Sequence, residues 1–234
     1  MRPARLNTAL RRGVDEVFFA LRPSQAPVCR ARTTSPAVCL TFDDGPSSVN
    51  TPEVLDLLAH HNARATFFVV GERIAGREAL LRRMIAEGHE IGNHTYSHTL
   101  TFGLTPNALK HDLLRAADAI EAACSRRPVL ARPPFGKDRR RFSSVAAECG
   151  ARTVLWSIDS GDAAEVEPHP DAVYSAVADR AGPGAIILLH DGGESRRLPT
   201  LGGCERILAS LTSRGLQFAT VSELLPDAAG LVAG

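Results

Sequence analysis

The chain has 234 residues, 44% of them hydrophobic and 23% charged, with 27 Lys plus Arg against 26 Asp plus Glu for a formal net charge of +1. That length suits one large α/β domain, the apolar content excludes an intrinsically disordered chain, and the balanced charge leaves no nucleic-acid footprint. No apolar stretch reaches the roughly 20 residues that a membrane-spanning helix needs. Five cysteines, at 29, 39, 124, 149 and 204 without a C-x-x-C pair, argue against a disulfide framework or a structural zinc knuckle.

In residues 4–21, Leu6, Leu10, Val14, Val17, Phe18 and Leu21 recur at helical spacing, until Pro23, Ser24 and Pro27 break the pattern. Residues 1–36 therefore read as an N-terminal extension with an amphipathic helix. The helix is expected to pack on the outside of the domain, with a dimer contact or a membrane surface as alternatives. Asp15 and Glu16 interrupt the apolar region of any signal peptide, so the chain as it stands is expected in the cytoplasm; a removed leader would overturn that.

From Ala37 onward, short apolar runs alternate with longer helical patterns. Strands are expected at 37–42, 65–70, 89–92, 129–131, 153–156, 185–189 and 217–220. Helices are expected at 50–61, 72–87, 105–124, 139–149, 170–180, 201–214 and 221–225. This alternation predicts a parallel sheet, open or closed into a barrel, as one domain over 37–234. The basic clusters Arg139-Arg140-Arg141 and Arg196-Arg197 read as solvated surface.

The residues that carry chemistry fall at strand ends. Asp43-Asp44 follow the first strand, His94 and His98 the third, Arg132 the fourth, Asp159 and Asp162 the fifth, and His190-Asp191 the sixth. In α/β barrels the βα loops at the carboxyl ends of the strands build the active site. Adjacent carboxylates disfavour each other's ionisation. A metal that takes one and leaves the other as a base would reconcile them.

His94-Thr95-Tyr96-Ser97-His98 is an H-x-x-x-H spacing, which on a helical turn puts both imidazoles on one face. Alone it says little. Joined by a carboxylate from another strand end, it becomes a two-His, one-Asp set with positions open for water and substrate. Zinc is the default, and the set also suits Fe(II), Co, Ni or Mn. A metal-bound water with its pKa lowered to about 7 still needs a base, and Asp43 is the candidate.

Thr41-Phe42-Asp43-Asp44-Gly45-Pro46 and His94-Thr95-Tyr96-Ser97-His98 resemble the first two motifs of the NodB-type polysaccharide deacetylases, carbohydrate esterase family 4. Arg132-Pro133-Pro134-Phe135-Gly136, Asp159-Ser160-Gly161-Asp162 and Leu188-Leu189-His190-Asp191 resemble the other three, all in family order. The resemblance implies a distorted (β/α)7/8 barrel and a metal-dependent hydrolase of non-peptide C–N bonds, removing acetyl groups from an N-acetylated sugar. It implies Asp43 as general base, and Asp44, His94 and His98 as metal ligands. The Phe135 backbone N–H would serve as oxyanion donor and His190 as general acid, supported by Asp162. Arg132 would hold Asp43 ionised and oriented, and Leu188 would wall the acetyl pocket.

One departure stands out. The family usually carries Trp where Ala163 stands, and Trp156, the only tryptophan, is expected to compensate in part. Chitooligosaccharide, peptidoglycan or a related glycan is the expected substrate, with a small glycosylated metabolite as an alternative. A non-catalytic sugar-binding module is disfavoured because no acid, base or ligand is missing. A glycosidase would not need the metal set.

Overall fold

In the computed structural model, residues 26–163 and 168–225 are described, so the helix expected at 4–21 lies outside the described residues. The strands are β1 Ala37–Asp43, β2 Ala65–Val69, β3 Glu90–Asn93, β4 Leu130–Ala131, β5 Arg152–Thr153, β6 Ile158–Asp159, β7 Ile186–His190 and β8 Gln217–Phe218. The helices are α1 Asn50–His60, α2 Glu78–Ala86, α3 Pro106–Cys124, α4 Arg139–Glu148, α5 Pro170–Ala178, α6 Leu198–Ser213 and α7 Val221–Leu224. No helix among the described residues is long and apolar enough to cross a membrane.

All seven residues of β1 are buried, as expected of a central strand in a parallel sheet covered on both faces. The sheet runs β5-β4-β3-β2-β1-β7-β6, with β8 beside the start of β1, and every paired strand is parallel. Because side chains alternate along a strand, Val38, Leu40 and Phe42 join Phe67, Leu55 and Leu208 in the core under the helices. Cys39 goes to a second core inside the curl, with Phe68, Leu130, Val154 and Ile186. Thr41 and Asp43 share the parity of Cys39. Register then sets Asp43 opposite His190 on one side and Phe68 on the other.

Edge strands β5 and β6 do not pair with each other among the described residues. Val28 forms a bridge to Val154, and Ala31 N–H donates to the Gly184 carbonyl, so residues 28–31 cross that side of the curl. Outside the sheet, α5 packs on α6, α1 on α6 and α2, α2 on α3, and α3 on α4. All five cysteines are free thiols.

Three elements depart from the expected boundaries. The helix expected at 72–87 is a 3-10 turn, Gly71–Arg73, followed by α2 from Glu78; Gly76 between them is left-handed. The helix expected at 201–214 starts earlier, at Leu198, with Pro199 in its first turn, where a missing N–H is harmless. The strand expected at 153–156 stops at Thr153, and β6 resumes at Ile158. The Val154 and Leu155 carbonyls accept from the Arg132 guanidinium at 3.1 and 3.0 Å, so these acceptors are not given to a neighbouring strand.

Phe67 is fully buried and stacks on Phe42 with ring centroids 5.2 Å apart. Replacing it by Ala should cost about 3–5 kcal/mol. Urea denaturation should show this as a lower midpoint with little change of slope.

Candidate active site

Asp43 ends β1 with its side chain on the inner face, whereas strand alternation alone would turn Asp44 away. Asp44 instead adopts a left-handed backbone, φ 72°, and both carboxylates line one pocket. Arg73 donates to the Asp44 carbonyl and fixes the turn. Gly192 packs so closely that a Cβ there would lie 2.4 Å from the Asp44 Cβ.

His94 and His98 are brought together by a loop, which corrects the helical turn expected for their spacing. Thr95 and His98 are left-handed, φ 67° and 51°. Side chains hold this costly path: Asn93 Oδ1 accepts from Thr95 N at 2.8 Å, Asp112 Oδ2 from Tyr96 N at 3.0 Å, and Thr95 Oγ1 from His98 N at 3.1 Å. His94 Nδ1 lies 2.9 Å from the Arg132 carbonyl. A carbonyl only accepts, so Nδ1 carries the proton and Nε2 presents its lone pair inward.

His94 Nε2 and His98 Nε2 lie 3.5 and 2.9 Å from Asp44 Oδ1, and the three ligand atoms are within 4.8 Å of one another. His98 Nε2 is buried without a hydrogen-bond partner. A buried, unsatisfied ring nitrogen beside a second lone pair and a carboxylate fits a cation at their centre. Burial opposes the charge on Asp44, but the two imidazoles beside it, His94 and His98, hold its carboxyl well below the usual range.

Arg132 is fully buried. Its Nη1 donates to Asp43 Oδ1 at 2.6 Å and to Thr41 Oγ1 at 2.9 Å, while the other donors go to the Val154 and Leu155 carbonyls. The guanidinium carbon lies 4.0 Å from the Phe68 ring centre and 5.5 Å from that of Trp156. Burial pushes its pKa down, and the Asp43 charge and hydrogen bond push it up.

Across the pocket, His190 Nδ1 meets Asp162 Oδ1 at 2.8 Å. Asp162 Oδ2 accepts from Thr200 Oγ1 at 2.7 Å and from His190 N at 2.9 Å. Burial lowers the pKa of His190, yet the Asp162 bond and charge, with Asp43 and Asp44 beyond, raise it to about 9. Burial likewise opposes the Asp162 charge, and His190 and Thr200 nonetheless lower its pKa. His190 is thus an imidazolium at neutral pH, able to give up a proton from Nε2.

Asp43, Asp44, His94, His98 and His190 line a pocket of about 540 Å³ together with Phe135, Trp156, Leu188 and Ala163. Asp162 and Arg132 stand behind it as supports. Phe135 is in the 3-10 turn Pro134–Gly136 with φ 59°; its N–H belongs to a first turn, where such groups lack intrahelical partners. Gly136, φ 61°, abuts Trp156, whose ring would lie 2.5 Å from a Cβ there.

Two residues at the site had no role assigned from the sequence, although Asp191 was noted at its strand end. Arg197 lines the pocket and donates to the Gly192 carbonyl at 2.7 Å; it sat in a cluster read as surface, and only its partner, in the same loop, marks it. Asp191 is fully buried against Gly45 and accepts from Thr51 Oγ1, with Oδ1 unpartnered. Burial first, then repulsion from Asp44 and Asp43, lifts its pKa to about 7 against the Thr51 bond.

Residues 30–154 match the model of the polysaccharide deacetylase family. The chain is 39% identical over 188 residues to the peptidoglycan-N-acetylglucosamine deacetylase of Bacillus cereus, covering 80% of this chain and 87% of that one. It is also 39% identical over 210 residues to the chitooligosaccharide deacetylase of a Bradyrhizobium species, covering 89% and 90%. A solved peptidoglycan N-acetylglucosamine deacetylase superposes with a TM-score of 0.80 at 30% identity, over 86% of this chain and 92% of that one. Fold, motifs and relatives agree that the chain belongs to the polysaccharide deacetylases, the NodB-type hydrolases of carbohydrate esterase family 4.

Proposed function

We propose that the chain hydrolyses the N-acetyl group of an amino-sugar residue in a chitooligosaccharide, peptidoglycan or related glycan. The observation that carries this is the convergence of a metal-ready triad, a buried carboxylate with a fixed cation, and an imidazolium across one pocket. Asp44, His94 and His98 hold a divalent cation, zinc by the ligand chemistry of two imidazoles and one carboxylate, with Co, Ni, Mn or Fe as alternatives. When bound, the cation acidifies water and polarises the acetyl carbonyl.

Asp43 takes the proton of the attacking water while Arg132 holds its Oδ1 in place. As the water oxygen bonds to the acetyl carbon, the carbonyl oxygen gains charge and accepts from the Phe135 N–H. The C–N bond then breaks, acetate leaves, and His190 gives its proton to the departing amine. Leu188 and Trp156 close the pocket around the acetyl methyl. A small glycosylated metabolite is the second reading, favoured by Ala163, which leaves one wall of the pocket low.

Asp43→Asn keeps size and the acceptor for Arg132 but cannot take a proton. It should keep its metal and lose about 10²–10⁴-fold in kcat for acetate release; unchanged turnover would remove Asp43 from the role of base. His98→Ala should lose zinc in elemental analysis at equal dialysis, whereas retention at full stoichiometry would refute the triad.

His190 must be protonated to act, so activity should fall as pH rises through its pKa. Asp162→Asn removes the largest raising partner and should move the alkaline limb of kcat/KM down by roughly 2 units or more, toward the ordinary histidine value. The stability contributed by the raised His190 pKa is fully present below the unfolded histidine pKa and is lost as pH rises through about 9, while that from the lowered Asp162 pKa is lost in acid. Identical pH profiles in the two proteins would assign the limb to another group.

A further inference from the structure

The run Arg139-Arg140-Arg141 does not behave as one solvated cluster. Arg141 donates to Asp138 Oδ2 at 2.7 Å, to the Leu104 carbonyl at 2.8 Å and to the Thr101 carbonyl, pinning the 3-10 turn Thr101–Gly103 to the start of α4. That turn displays Phe102, 67% exposed, close to Phe135, 56% exposed. Phe102, Phe135 and Trp156 line a shallow recess together with Lys137, Arg139 and Arg140. Phe135 and Trp156 also line the catalytic pocket, so the two spaces adjoin.

The charge in this recess is uncompensated. Lys137 and Arg140 form no ion pair among the described residues, Arg139 donates only to the Gly136 carbonyl, and Asp138 is taken by Arg141. On the other flank of the pocket Arg196 pairs with Glu53 and Arg77 with Glu194, while Arg197 donates to the Gly192 carbonyl. The position of the cations is also unfavourable for the helix. Arginines fill the first turn of α4, where the helix dipole opposes positive charge, and the one carboxylate at that end, the N-cap Asp138, is paired with Arg141.

We propose that this recess is the subsite for a sugar that neighbours the one deacetylated and carries an anionic group, a carboxylate or a phosphate ester, so that the substrate is an acidic glycan. This rests on the deacetylase reading above and specifies its substrate. Phe102 and Phe135 offer aromatic faces to the sugar ring, and Lys137 and Arg140 offer donors to the anion. An anionic lipid surface fits less well. Among the described residues, the large apolar side chains exposed on this side are Leu100, Phe102 and Phe135, too few for stable insertion, and the recess adjoins the reacting pocket.

The test uses three N-acetylated oligosaccharides of equal length: neutral, carboxylate-bearing on alternate sugars, and phosphate-bearing on alternate sugars. With zinc-loaded protein, kcat/KM for at least one acidic oligomer should exceed the neutral one about ten-fold, the strength of two exposed charge contacts. The ratio should fall toward one in K137Q/R140Q and at high salt, and the better of the two acidic oligomers identifies the anion. Turnover of the neutral oligomer without acidic preference overturns this inference and leaves the deacetylase reading standing. Acetate release from none of the three overturns the deacetylase reading and this one with it. Binding of phosphatidylglycerol vesicles that K137Q/R140Q abolishes, with no glycan preference, would make the recess a membrane contact and also overturn it.

Discussion

A fully buried guanidinium, that of Arg132, ties the catalytic end of the sheet together. Burying a charge is costly unless it is paired and every donor is used. Here Nε, Nη1 and Nη2 all find acceptors, on β1 through Thr41 and Asp43 and on the chain after β5 through Val154 and Leu155. The same residue uses its backbone carbonyl to fix the His94 tautomer and its N–H to bond the Asn93 carbonyl. One side chain thus orients the proposed base, while its backbone orients a proposed metal ligand. Removing Asp43 or Arg132 entirely would strand the other, at about 3–5 kcal/mol.

Four carboxylates crowd this end of the barrel, and each of three has its own nitrogen-bearing partner. Asp43 has Arg132, Asp44 has His94 and His98, and Asp162 has His190. That partition is why two adjacent aspartates can differ in function. The left-handed turn at Asp44 brings both into one pocket while the partners keep them apart electrostatically. Asp191 has only the Thr51 hydroxyl, and burial pushes its pKa up to about 7. Its carboxyl braces the turn at Gly45 beneath the proposed ligands.

Much of this was legible in the residues because it follows from period and position. β1 reads as a buried parallel strand from its apolar run, and the reactive residues stand at strand ends where βα loops converge. The path of the His94–His98 loop was not legible: its left-handed residues are Thr95 and His98 rather than glycine, and Asp112, which holds it, is on α3. The break between β5 and β6 was hidden for a similar reason. It depends on a side chain some 20 residues upstream taking the carbonyls of Val154 and Leu155, which no local propensity records. Arg197 and Arg141 looked alike as surface arginines, and only their partners separate them from solvent.

The place of Ala163 follows from the same packing. Trp156 is fixed against Gly136 and beside the Arg132 guanidinium, so the aromatic wall of the pocket stands on the Phe135 side. The opposite side is bounded by Ala163 and Arg197, which also line the next recess, around Glu194 and Thr200. The pocket is therefore asymmetric, with flat apolar faces on one flank and a short side chain with a cation on the other. In the proposed reaction, a sugar stacked on the aromatic flank would turn its substituents toward Ala163, where a bulky group meets no indole. Chemistry at the acetyl carbon is left intact by this asymmetry, since none of the triad, base or acid stands on either flank. What it selects is the shape and charge of the sugars on each side of the reacting one.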